Sequence, residues 1–185
     1  MPERASERIW SLRRQWLGNL VPLGVALVCS LAFYRLGVLV QATVGIAVAW
    51  YGVSHWGFFE NTKIDRELRE KVGPDGELIG FVWLSRPTAL DVHAELGLMN
   101  LVSDELRIVT EDKSYVIRLN EVAEIGRQMN IHSLIGLGGW IALKLENGTT
   151  IRLESRMYPT MLKSMTRTKV LFKELSIWKH EKAPA

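Results

Sequence analysis

The chain has 185 residues, which leaves room for one domain of ordinary size and an appendage. The formal net charge is +3, but apolar and charged residues are unevenly distributed along the chain. The first 59 residues contain the long apolar runs and few acidic residues. A lone cysteine, Cys29, excludes an intramolecular disulfide, so the fold needs no oxidising compartment.

Two long apolar runs follow one another near the N-terminus. Residues 16–34 and 38–59 contain no Asp, Glu, Lys or Arg, and only Arg35, Leu36 and Gly37 separate them. Roughly 20 apolar residues, rising about 1.5 Å each, match the hydrocarbon core of a membrane, so residues 16–59 predict a two-helix transmembrane hairpin. Arg and Lys are frequent outside the two runs and only Arg35 lies between them, which predicts that both termini are cytoplasmic. Residues 1–15 are expected to be a cytoplasmic segment, either an amphipathic helix on the inner leaflet or a plain extension of the first span.

Small residues recur at spacings of three and four along the second run. They form one stripe of Ala42, Gly45, Ala49 and Gly52. Small side chains let helix backbones approach each other closely, so the stripe predicts a helix-packing surface. Two interpretations stay open: packing against the first span, which is the simpler one, and an interface with another molecule.

A charged helical connector and turn are predicted over residues 60–76. Ile64, Leu68 and Val72 recur every four residues, as expected for a short helix. The sequence Gly-Pro-Asp-Gly at residues 73–76 is typical of a turn and ends that helix.

Residues 77–182 are predicted to form a separate soluble domain. Apolar residues alternate along most of it with a period near two, which indicates about seven short strands. The clearest feature is a hairpin between residues 140–145 and 150–153, because Asn147 and Gly148 form a favoured turn. Residues 158–178 predict one amphipathic helix that closes the domain. Its apolar stripe consists of Met161, Leu162, Met165, Leu171, Phe172, Leu175 and Trp178.

The domain resembles the pleckstrin-homology (PH) superfamily, particularly GRAM-like and bacterial membrane-flanked PH-like domains. The resemblance is carried by residues 105–110, 118–122 and 134–138, by the Asn147–Gly148 hairpin and by the final helix. It implies an α+β membrane protein, in which a transmembrane hairpin precedes a seven-stranded β-barrel or sandwich capped by a C-terminal helix. A paired-helix anchor also occurs in that bacterial family, which implies an integral protein of the bacterial inner membrane. Phosphoinositide-binding PH domains place several basic residues in and after the first strand, whereas only Arg86 lies there in this chain.

The sequence contains no pattern that predicts catalysis, a metal or a cofactor. The glycines of residues 136–139 lead into a strand rather than a helix, so they indicate a bend in the sheet and not a nucleotide site. Asp91, His93 and Glu95 would share one face of a strand, an arrangement that is compatible with a weak metal site or an acid–base pair. A solvated sheet face is the favoured interpretation, since nothing else completes such a site.

Basic residues are concentrated near the C-terminus, with seven Lys or Arg between residues 156 and 182. Within that stretch, Lys163, Arg167, Lys169 and Lys173 are predicted to form a lipid-facing basic patch on the last helix. A solvated helix face is the alternative, and no nucleic-acid motif accompanies the charges.

The sequence predicts a non-enzymatic, membrane-anchored PH-like adaptor that binds a protein partner, anionic lipid headgroups, or both. The alternative is an accessory or assembly subunit that contacts a larger membrane complex through the hairpin. Association into a homo-oligomer is compatible with both interpretations.

Overall fold

The computed structural model describes residues 8–84, 95–129 and 139–181. Four α-helices and seven β-strands make up this part of the chain. The helices are α1 (Leu12–Ala32), α2 (Val38–Phe59), α3 (Asn61–Val72) and α4 (Met161–Glu181). The strands are β1 (Glu77–Leu84), β2 (Glu95–Val102), β3 (Glu105–Val109), β4 (Ser114–Arg118), β5 (Val122–Gln128), β6 (Trp140–Leu145) and β7 (Thr150–Ser155).

Helices α1 and α2 form a hairpin close to the residues that the apolar runs predicted. The two helices are joined by one turn of 3-10 helix, Tyr34–Leu36, and by Gly37, whose φ of +97° is a conformation that favours glycine. The helices approach closely at Gly45, where an added Cβ atom would lie 3.2 Å from the Ser30 side chain. The Ser30 hydroxyl also donates a hydrogen bond to the Gln41 carbonyl at 3.1 Å.

The predicted transmembrane character of this hairpin is contradicted. A membrane crossing needs roughly 20 consecutive, predominantly apolar residues. Among the residues that the structure describes, no helix has both the length and the apolar character for a crossing. This finding contradicts the transmembrane hairpin predicted over residues 16–59, the fold class of a membrane protein, and the localisation as an integral inner-membrane protein.

The seven strands form one curled antiparallel sheet in the order β4-β3-β2-β1-β7-β6-β5. Strand β1 lies in the middle and pairs with β2, where Phe81 is opposite Glu95, and with β7, where Trp83 is opposite Ile151. Strands β4 and β5 lie at the two edges. The sheet and the helix that follows it are compatible with the predicted PH-like fold.

The main core lies on one side of the curled sheet and is covered by α4. Its fully buried members include residues from the middle strands and from the helix. Examples are Ile79, Phe81, Leu106, Ile108, Leu143, Ile151, Leu153 and Leu175. The end of α4 is fixed to the sheet, because Trp178 Nε1 donates to the Ser103 carbonyl at 2.9 Å and Lys179 Nζ donates to the Val122 carbonyl.

A second core lies between α3 and the opposite side of β1 and β2. Ile64 and Leu68 of α3 are 1% and 2% exposed, and they pack with Leu78, Leu96 and Leu98. Ile9, Trp10 and Val72 cover the edge of this cluster. Helix α3, which belongs to the predicted connector, therefore packs against the sheet.

Ion pairs connect the start of α1 to α3. Arg14 donates to both carboxylate oxygens of Glu67, at 2.9 and 3.3 Å, and lies 3.4 Å from Glu60. The hydrogen bonds from Arg14 hold the pKa of Glu67 below its usual value. On the turn between β3 and β4, Glu111 accepts from the backbone N–H of Ile9 at 2.9 Å. The first described residues are thereby fixed to both α3 and the sheet.

Candidate protein-binding surface on the last helix

One side of α4 is committed to the fold. Its buried residues recur every three or four positions, and they are Met161, Ser164, Thr168, Leu171, Leu175 and Trp178. The polar members are paired: the Ser164 hydroxyl donates to the Tyr158 carbonyl at 3.1 Å, and Thr168 Oγ1 accepts from the Ser155 N–H at 2.9 Å. These contacts fix the rotation of α4 about its axis, and therefore fix which residues face solvent.

Arg167 lies at the boundary between the buried and the exposed sides of α4. Its guanidinium donates to Glu77 of β1 at 2.6 and 2.9 Å and to Glu174 at 2.8 and 2.9 Å. These hydrogen bonds to Glu174 and Glu77 raise the pKa of Arg167 above its usual value. Two carboxylates therefore compensate the charge of Arg167, which connects α4 to the first strand.

The other three predicted basic residues, Lys163, Lys169 and Lys173, are exposed on the side of α4 that faces away from the sheet. Within the described part of the chain, none of them forms an ion pair or a side-chain hydrogen bond. The structure therefore divides the predicted patch of four into one compensated arginine and three uncompensated lysines.

Three large apolar side chains lie among these lysines. Leu162 is 46% exposed, Val170 42% and Ile177 53%. Because they are eight and seven residues apart, or about two helical turns each, they follow one line along the helix. We call the surface made by Leu162, Lys163, Lys169, Val170, Lys173 and Ile177 the outer face of α4. Apolar side chains with positive charge between and beside them suit a partner surface that is both apolar and acidic.

Sequence reasoning missed this second apolar line. Leu162 was assigned to the stripe that closes the domain, whereas it is half-exposed, and Val170 and Ile177 were not singled out. At about 100° per residue, all three point away from the direction of the buried Leu171 and Leu175. The phase of each apolar residue on the helix was the signal that could have separated the two lines.

The small-residue stripe of α2 is distant in sequence from this surface, and its four members differ in their surroundings. Gly45 faces Ser30 of α1, whereas Ala42 is exposed to solvent. Ala49 and Gly52 are half-buried. Gly45 thus lies in the contact between the two helices of the hairpin.

Arg156 of the predicted basic stretch is part of the structure rather than of the surface. Its side chain is 6% exposed and donates to Asn61 Oδ1 at 3.0 and 3.2 Å. Asn61 Nδ2 donates in turn to the Tyr158 carbonyl at 2.8 Å. Glu154 lies 3.7 Å from Arg156, and burial raises the pKa of the Glu154 carboxyl. This network joins the start of α3 to the segment between β7 and α4.

The candidate site around Asp91 and His93 lies outside the described residues, as do Arg86 and residues 134–138. Its third member, Glu95, accepts a hydrogen bond from the Tyr115 hydroxyl at 3.1 Å. Burial, together with this bond to Glu95, raises the pKa of Tyr115. Among the residues that the structure describes, no group of three or more His, Cys, Asp or Glu side chains could hold a metal ion.

Comparison of this chain with models of known protein families and with curated proteins gives no match.

Proposed function

We propose that the chain is a non-enzymatic PH-like adaptor, whose outer face of α4 binds a partner protein. The observation that carries this proposal is the contrast between the two sides of one helix. The inner side is buried and hydrogen-bonded, whereas Leu162, Val170 and Ile177 stay 42–53% exposed beside uncompensated lysines. Covering these side chains with a partner would remove apolar area from water, which favours association.

The resemblance to GRAM-like and bacterial membrane-flanked PH-like domains supports an adaptor. Residues 105–110 cover β3, and residues 118–122 cover the 3-10 turn Leu119–Glu121 that leads into β5. The third segment that carries the resemblance, residues 134–138, lies outside the described residues.

A photo-crosslinking experiment tests the proposal. A photoreactive phenylalanine analogue replaces Val170 in the full-length chain in cells, and Val116 is the matched control. Both are valines of similar exposure, 42% and 50%, but Val116 lies on the edge strand β4. A discrete protein adduct is expected at position 170 and not at 116. No adduct at 170, or the same products at both positions, would overturn the proposal.

A second candidate is an accessory subunit that contacts a larger complex through the α1–α2 hairpin. It is favoured by the large apolar side chains that the hairpin exposes, such as Val38 and Leu39 at 81% and Ile46 at 69%. The same crosslinking experiment with the analogue at Leu39 separates the two candidates. An adduct at position 39 without one at 170 would favour the accessory subunit over the adaptor.

A further inference from the structure

We infer that the partner element that docks on the outer face of α4 is an acidic amphipathic helix. This inference rests on the proposed adaptor function and names the chemistry of its partner. Three properties of the surface lead to it: the shape of the apolar line, the position of the lysines, and the rigidity of the helix that carries them.

The apolar line has the dimensions of a helix–helix contact. From Leu162 to Ile177 it spans 15 residue steps, which is about 22 Å at about 1.5 Å per residue. The line follows the helix axis and is narrow, since all three apolar side chains fall within an arc of roughly 80°. A second helix laid along this line would present its own apolar stripe over the same length.

The lysines favour a second helix that carries negative charge. At about 100° per residue, Lys169 and Lys163 lie roughly 60° to either side of the centre of the apolar line, and Lys173 lies within the line. Glu174, the acidic residue closest to Lys163 on this helix, is engaged by Arg167 at 2.8 Å. Acidic residues on both flanks of the partner's apolar stripe would therefore meet positive charge that the chain itself leaves uncompensated.

The surface is also fixed before a partner arrives. Thr168 and Trp178 bind the backbone of Ser155 and Ser103 from the inner side of α4. Because the helix does not need to be ordered on binding, less conformational entropy is lost when a partner docks.

A binding experiment with a synthetic probe tests the inference. The probe is a fluorescent peptide of about 18 residues, long enough to cover the line as a helix, with leucines at helical spacing flanked by glutamates. Fluorescence anisotropy with the purified full-length chain should show binding that weakens as salt shortens the Debye length toward ~3 Å. A peptide of the same composition in scrambled order, and one with lysines in place of the glutamates, should not bind.

Variants of the chain show where the probe binds. Lys169→Glu combined with Lys173→Glu should weaken binding by roughly tenfold or more, because two attractive contacts become repulsive. Val170→Asp should weaken it by at least about tenfold, because the change removes an apolar contact and adds a negative charge that repels the glutamates of the probe. The matched control, Lys113→Glu on the exposed turn between β3 and β4, should stay within about twofold, since a single distant surface charge contributes little.

The possible outcomes separate this inference from the adaptor function. If the probe does not bind while the analogue at position 170 still yields a protein adduct, the helical partner is overturned and the adaptor function stands. Binding that survives both the charge reversal and Val170→Asp would also overturn the inference. Vesicles of anionic lipid that bind through Lys169 and Lys173, with no binding of the probe, would replace the acidic helix by a lipid surface.

Discussion

Replacement of Leu175 by alanine should strongly destabilise the domain, because this residue joins α4 to the main core. Leu175 is 0% exposed. The change removes three carbon atoms, worth about 2.4 kcal/mol at roughly 0.8 kcal/mol per buried carbon, and the remaining cavity adds to this loss. The expected decrease in the free energy of unfolding is therefore about 2–5 kcal/mol.

The surroundings of Leu175 place the expected value in the upper half of that range. The cost of a cavity depends on how far the neighbours can collapse into it. Here Trp178 is held by its 2.9 Å hydrogen bond to Ser103, and Lys179 is bonded to the Val122 carbonyl. These bonds one turn away resist the movement of α4 that would close the cavity.

Urea denaturation of the full-length chain, followed by tryptophan fluorescence and circular dichroism, measures the change. The midpoint should fall while the slope with denaturant stays the same. Ile177→Ala is the control, because it shortens an aliphatic side chain on the same helix at a position that is 53% exposed. It should change the free energy of unfolding by no more than about 0.5 kcal/mol. Equal shifts for the two variants, or a shift below about 0.5 kcal/mol for Leu175→Ala, would refute the assignment of the two sides of α4.

Two further predictions concern the sheet and the contact between α1 and α3. Gly97→Ala should cost about 1–3 kcal/mol in the same assay, because its Cβ would lie 2.8 Å from Ile108 Cγ2. Gly126→Ala, whose nearest neighbour would lie at 3.6 Å, should be close to neutral, and equal costs would contradict this steric explanation. Because Arg14 lowers the pKa of Glu67, the pair contributes stability above the usual carboxyl pKa of about 4.5, and this contribution is lost as the pH falls through the lowered pKa. Glu67→Gln should therefore lower the free energy of unfolding by at most about 1 kcal/mol, because the pair is partly exposed. The difference from the wild type should shrink between about pH 6 and pH 3. A difference that grows over this range would refute the ion pair.

The parts of the fold that were predictable from the sequence are those fixed by local chemistry. The hairpin between β6 and β7 is confirmed, and its turn has the properties expected of its residues. Gly148 adopts a φ of +82°, and the Asn147 side chain accepts from the Thr149 N–H at 2.9 Å. Alternation of apolar residues likewise predicted the number of strands, because strand periodicity is a property of neighbouring residues.

The parts that were not predictable depend on residues far apart in the chain. The stripe of Ile64 and Leu68 predicted a helix but not its partner, which is the side of β1 and β2 opposite the main core. Arg156 was counted among the surface charges because nothing near it in sequence shows that Asn61, 95 positions away, binds it. Pairings of this kind arise only when the chain has folded, so local patterns do not contain them.

The candidate site on α4 has one feature that was predictable from the local sequence and one that was not. Periodicity predicted that α4 is amphipathic, but α4 carries two apolar lines, and only the one with Leu171 and Leu175 is buried. Closing the sheet requires the buried line alone, and polar residues at Leu162, Val170 and Ile177 would cost the fold little at exposures of 42–53%. Folding therefore does not require these three positions to be apolar. A partner that covered them would remove apolar area from water, which favours association and is the physical basis of the proposed binding surface.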